Sequence, residues 1–124
     1  MQTMYNGYEV LLRKIFREDD KAPIRPSIIE GDTEVSLQQA LNRALDTLPL
    51  TQGKNDSVRW QRIKSMIERR YGLKGNQGGV LFSVIGREFE IKEETASQRV
   101  RKWQVKLRES SPWLAEFFIQ ASEE

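Results

Sequence analysis

The chain has 124 residues, 38% hydrophobic and 31% charged, with neither cysteine nor histidine and a formal net charge of +2. That length suffices to bury a core without staples, and the composition is that of a folding chain rather than a disordered one. Missing Cys and His removes disulfides, thiolate nucleophiles, zinc sites of the usual kind and the commonest general base near neutral pH, which speaks against many enzyme classes at once.

Charge is unevenly spread. Residues 1–53 hold 6 basic against 8 acidic residues, residues 54–108 hold 14 against 6, and residues 109–124 hold none against 4. The middle block therefore carries +8. Such a block suits a polyanion, because each phosphate neutralised releases condensed counterions. A salt-bridged helical surface is the plainer reading of the same charges. No apolar run approaches the roughly 20 residues that span a bilayer, and MQTMYNGYEVLLRK lacks the layout of a secretory signal, so a cytoplasmic, nucleoid-associated protein without membrane contact is expected.

In chain order, Tyr5, Tyr8, Leu11, Leu12, Ile15 and Phe16 share one helical stripe that ends before Asp19 and Asp20. Lys21 to Val35, with Pro23, Pro26 and Gly31, reads as a linker or surface loop. Ser36 and Gln39 have capping-box spacing, and Leu37, Ala40, Leu41, Ala44, Leu45 and Leu48 run along one helical face up to Pro49. After LTQGKND a third helix, capped by Asp56 or Ser57, would bury Ile63, Met66, Ile67 and Tyr71 and stop at Gly72. Its other face carries Arg59, Arg62, Lys64, Arg69 and Arg70. LKGNQGG reads as a flexible connector. VLFSVIG suits a strand or a short helix, and a helix is preferred because a strongly helical run comes just after it. Ser111-Pro112 opens a final helix bearing Trp113, Leu114, Phe117, Phe118 and Ile119, either folded back or offered to a partner.

The overall expectation is an all-α fold of five to six helices containing a helix-turn-helix. It divides into residues 1–53, an N-terminal helical segment with a Pro-rich linker, and residues 54–124, the helix-turn-helix domain with a C-terminal helix. Phe82 and Ile85 would line the inner face of the first motif helix, Gly86 would allow close helix approach, and Phe89 and Ile91 would anchor the turn. In KEETASQRVRKWQVKLRE, Ala96, Val100, Trp103 and Leu107 face inward. The opposite face presents Glu94, Thr95, Ser97, Gln98, Arg101 and Lys102, donors and acceptors suited to base edges and phosphates. Arg87, Lys92, Arg99, Lys106 and Arg108 are further candidate phosphate contacts. Trp103 and Trp113 lie on apolar stripes, which favours core packing over base stacking.

The segment MIERRYGLKGNQGGVLFSVIGREFEIKEETASQRVRKWQVKLRES resembles the fourth conserved region of primary-type bacterial sigma factors, the part that recognises the promoter −35 element. RRYGL, IGREFEI and VKLRES carry the likeness, which runs without gaps from Phe82 to Arg108. The resemblance implies a sigma-like DNA-binding domain in a smaller regulator, with Glu94 and Gln98 at recognition positions, while Glu93, Thr95 and Ser97 stand where that family carries basic residues. The expected partner is double-stranded DNA, and a homodimer reading two half-sites is compatible with the motif. The alternative is a module that binds RNA polymerase or another regulator without reading DNA. No cofactor, metal or catalytic residue is expected: Glu88, Glu90, Glu93 and Glu94 fit a solvated helix surface, and no GxxxxGK[ST] or GxGxxG is present.

Overall fold

The computed structural model describes residues 6–19, 21–47, 57–74 and 78–119. Tyr5, Asp20, Leu48, Pro49, Asp56, the LTQGKND loop and the centre of LKGNQGG lie outside these described residues. Among the described residues the protein is mostly helical, with six helices and one two-stranded sheet. The all-α expectation is thus corrected. None of these helices is long and apolar enough to cross a membrane.

Helix α1 spans Gly7–Phe16. Asn6 starts it, its side-chain oxygen accepting from the Tyr8 and Glu9 amides, and the buried Leu11, Leu12 and Ile15 form the stripe expected from their spacing. The helix ends with Arg17 in the left-handed region at φ 57°, while the Glu18 amide reaches back to the Arg13 carbonyl.

Within the stretch read as a linker or surface loop, residues 27–36 form a β-hairpin. Strand β1, Ser27–Glu30, pairs antiparallel with β2, Thr33–Ser36, and Glu30 faces Thr33 across a two-residue turn. Gly31, at φ +65°, supplies the left-handed conformation that such a turn requires at its first position. Val35 is buried and Ile28 packs against the core, which anchors the hairpin, while its turn and Ile29 to Glu34 are exposed, so it lies on the surface as expected.

Helix α2, Leu37–Thr47, opens on the capping box that the spacing predicts. The Gln39 amide donates to Ser36 Oγ at 3.1 Å and the Ser36 amide donates to Gln39 Oε1 at 3.0 Å. Helix α3, Ser57–Tyr71, buries Trp60 as well as the four expected residues, and Gly72 ends it at φ +68°. Helix α4, Phe82–Glu88, and helix α5, Glu93–Ser110, are separated by four residues. The last helix among the described residues is a 3-10 helix, Pro112–Phe117, in place of the expected final α-helix. It folds back: Phe118 pairs with Ile24, the Ile119 amide donates to the Pro23 carbonyl, and Leu114 and Phe117 are fully buried.

Side chains from both sides of residue 53 join one hydrophobic core. Trp60 lies at its centre, its ring 4.7 Å from that of Trp103 and its indole N–H donating to the Leu45 carbonyl at 2.9 Å. A buried tryptophan needs such a partner, because an unmet donor in an apolar setting costs stability.

Candidate nucleic-acid interface

The four residues between α4 and α5 form a tight turn with an identifiable cause. The Ile91 amide donates to the Gly86 carbonyl at 2.8 Å and the Glu90 amide to the Arg87 carbonyl at 3.4 Å, with Glu90 at φ 57°. This is the Schellman pattern, here with glutamate at the left-handed position usually taken by glycine. Gly86 is needed for the turn to close, since a Cβ there would lie 2.7 Å from the Ile91 carbonyl oxygen and 3.2 Å from the Glu93 amide nitrogen. Ile85 is fully buried, while Phe82, Phe89 and Ile91 are half-buried against the core.

Helix α3 holds this unit by its basic face. Arg62 donates to the Phe89 carbonyl and lies 5.5 Å from the Phe89 ring; Arg69 makes a two-pronged pair with Glu88 at 3.0 and 2.5 Å. Arg70 donates to the Val80 carbonyl at 3.0 Å and sits 4.3 Å over the Phe82 ring. Lys64 bonds Asp46 of α2, and Lys74 pairs with Glu68 at 3.2 Å. Much of the basic block is therefore structural, holding helices together, and the plainer reading of the charge applies to α3.

Helix α5 differs. Ala96, Val100 and Leu107 are fully buried and Trp103 is 2% exposed, so the tryptophan side is hidden. Lys92, Glu94, Gln98, Arg99, Arg101 and Lys102 are exposed, with Thr95 and Ser97 half-buried beside them. Arg87, on α4, is also exposed. None of these cations forms an ion pair with a described residue. Glu94, Ser97, Gln98 and Arg101 line one shallow cleft together with Phe82 and Glu93. Lys106 is half-buried, its ammonium 4.1 Å over the Trp103 ring, and Arg108 donates to the Ile15 carbonyl at 3.4 Å, so both also serve packing. Glu93 and Glu94 in the first turn favour the helix by facing the positive end of its dipole.

One inward residue escaped the apolar pattern. Gln104 is 7% exposed, and its amide donates to the Tyr71 hydroxyl at 2.5 Å. Its position four residues after Val100 and three before Leu107, on the inward stripe, is the signal that could have found it. Trp113 is half-buried with the Arg43 guanidinium 6.0 Å from its ring, in the packing role favoured for it.

No family model, no characterised protein and no solved structure matches this chain. The functional reading therefore rests on the α5 surface and its supports.

Two of the supporting pairs give a pH dependence. Hydrogen bonding from Arg69 lowers the Glu88 carboxyl below its ordinary 4.5, and hydrogen bonding from Lys64 lowers Asp46 below 3.8. Carboxyls lowered in the folded state contribute stability above their unfolded values, and that contribution is lost as pH falls through the folded ones. Urea midpoints should thus drop as pH is lowered from about 5 toward 2. The slope should be shallower in an Asp46→Asn, Glu88→Gln double variant, and an identical slope would show that these pairs carry no linkage.

Proposed function

We propose that this protein is a sequence-specific regulator of transcription that binds double-stranded DNA, with α4, the turn and α5 acting as a helix-turn-helix. The observation that carries this reading is the division of α5 into a buried tryptophan side and an exposed polar, cationic side whose charges have no partner among the described residues. Unpaired cations on one helix face lose little on meeting phosphates, since no internal salt bridge must be broken. The 18-residue helix is about 27 Å long, enough to enter a major groove about 12 Å wide with its first turns and still reach the flanking backbone. Gln98 and Ser97 supply base-edge donors and acceptors, and Lys92, Arg99, Arg101 and Lys102 supply phosphate contacts. The resemblance of residues Phe82 to Arg108 to the fourth region of sigma factors supports the same docking.

The test is a salt-titrated fluorescence anisotropy assay on duplexes selected from random DNA. A Ser97→Ala, Gln98→Ala, Arg101→Ala variant should bind at least about tenfold more weakly and with altered sequence preference, because base contacts contribute about 1–3 kcal/mol each. Its thermal midpoint should stay near that of the wild type, as Gln98 and Arg101 are exposed and Ser97 half-buried. Unchanged affinity and preference would refute the assignment of this face.

Docking on RNA polymerase or another regulator without DNA is the other reading, motivated by the acidic ends of the chain and its apolar final segment. Leu114, Phe117 and Phe118 are buried, which leaves that segment little apolar surface to offer. Capture of polymerase with no duplex binding at low salt would favour it.

A further inference from the structure

The last turn of α1 and the C-terminal half of α5 enclose a cleft of about 220 Å³ whose described lining includes four cations, Lys14, Arg17, Arg101 and Arg108, and no carboxylate. Lys14, Arg17 and Arg101 are exposed and form no ion pair with a described residue, so the four charges repel one another without internal relief. Arg108 is half-buried and fixed by its bond to the Ile15 carbonyl, which holds one wall of the cleft to the other. Arg101 also lines the cleft of Glu94, Ser97 and Gln98, so the two clefts adjoin through one side chain.

From these placements we infer that the end of α1 is a second backbone contact, in which Lys14 and Arg17, together with Arg101 and Arg108, hold phosphodiester groups of the DNA whose bases α5 reads. This rests on the DNA-binding reading and assigns to the N-terminal segment a role that its sequence did not suggest. The geometry fits: Gln98 and Arg108 are ten positions apart on α5, about 15 Å along its axis, while the major groove is about 12 Å wide. With Gln98 over base edges, Arg108 and the end of α1 fall at the groove's rim, where a phosphate strand runs. Cations in the last turn of a helix also favour the negative end of its dipole. That role alone would alter stability and leave DNA binding untouched.

The experiment compares the wild-type 124-residue chain with a Lys14→Gln, Arg17→Gly variant on a selected duplex and a scrambled one, from about 50 to 200 mM salt. Glycine suits the left-handed conformation that Arg17 adopts, so the variant keeps its helix end. Circular dichroism melting checks the fold. The expected result is a log–log salt dependence less steep by about two, at about 0.9 for each phosphate no longer neutralised, so that the affinity decrease across this salt range is roughly tenfold smaller than in the wild type. Affinity should fall by a similar factor on both duplexes, leaving sequence preference intact. A variant with wild-type slope and affinity would overturn this inference while leaving the reading of α5 in place. A wild type that binds no duplex at 50 mM salt would overturn both.

Discussion

Replacing Trp103 by alanine is expected to lower the unfolding free energy by about 3–5 kcal/mol, the range for deleting a buried aromatic side chain. The ring is 2% exposed and packs 4.7 Å from Trp60 at the centre of the core. Its removal forfeits both the transfer energy of a large apolar group and the dispersion attraction of the neighbours around the cavity. It also takes away the surface over which the Lys106 ammonium lies. Against a total stability of about 5–15 kcal/mol for a typical domain, this is a large fraction. Urea unfolding followed by circular dichroism measures it, and Trp103→Phe should cost far less because a ring still faces Trp60. A loss below about 1 kcal/mol would mean that the tryptophan side of α5 is not in the core. The outward placement of Gln98 would fall with it, since the two lie on opposite sides of one helix.

Gly7→Ala should also be strongly destabilising, against the intrinsic preference of helices for alanine over glycine by about 1 kcal/mol. A Cβ at Gly7 would lie 1.7 Å from the Tyr71 carbonyl oxygen and 3.1 Å from Leu73 Cδ2. The first clash is with backbone at the end of α3, which cannot move away as a flexible side chain could. Helix α1 must therefore shift, and the expected net loss is about 3 kcal/mol, at the upper end for overpacked cores. Because Lys14 lies on α1 and Arg17 caps its end, the shift should, on the function proposed above, weaken DNA binding as well. Thermal and urea unfolding check the first effect; an alanine variant as stable as the wild type would show that α1 does not approach α3 this closely.

Helices were legible wherever one physical cause dominated locally. The stripe of Leu11, Leu12 and Ile15, the Ser36–Gln39 capping box, the stop at Gly72 and the inward run of Ala96, Val100, Trp103 and Leu107 depend on side-chain period and on caps a few residues apart. The hairpin had a signal too, Gly31-Asp32 between β-branched runs, but Pro23 and Pro26 suggested a linker instead. What decides that it forms is distant: Val35 finds the core, and Ile24, just before β1, pairs with Phe118 at the far end of the chain.

The sequence by itself determined the helical character, the caps, and which side of α5 is apolar, because period and capping act within a few residues. Tertiary structure alone decided which charges are spent. A count of the basic block treats Arg62, Arg69, Arg70 and Arg101 alike, yet the first three are bound to α4, its turn and the segment before it, while Arg101 faces solvent beside Lys14 and Arg17 from the other end of the chain. Partners so far apart in sequence are set by packing, and the availability of a charge for a ligand depends on what packing leaves unpaired.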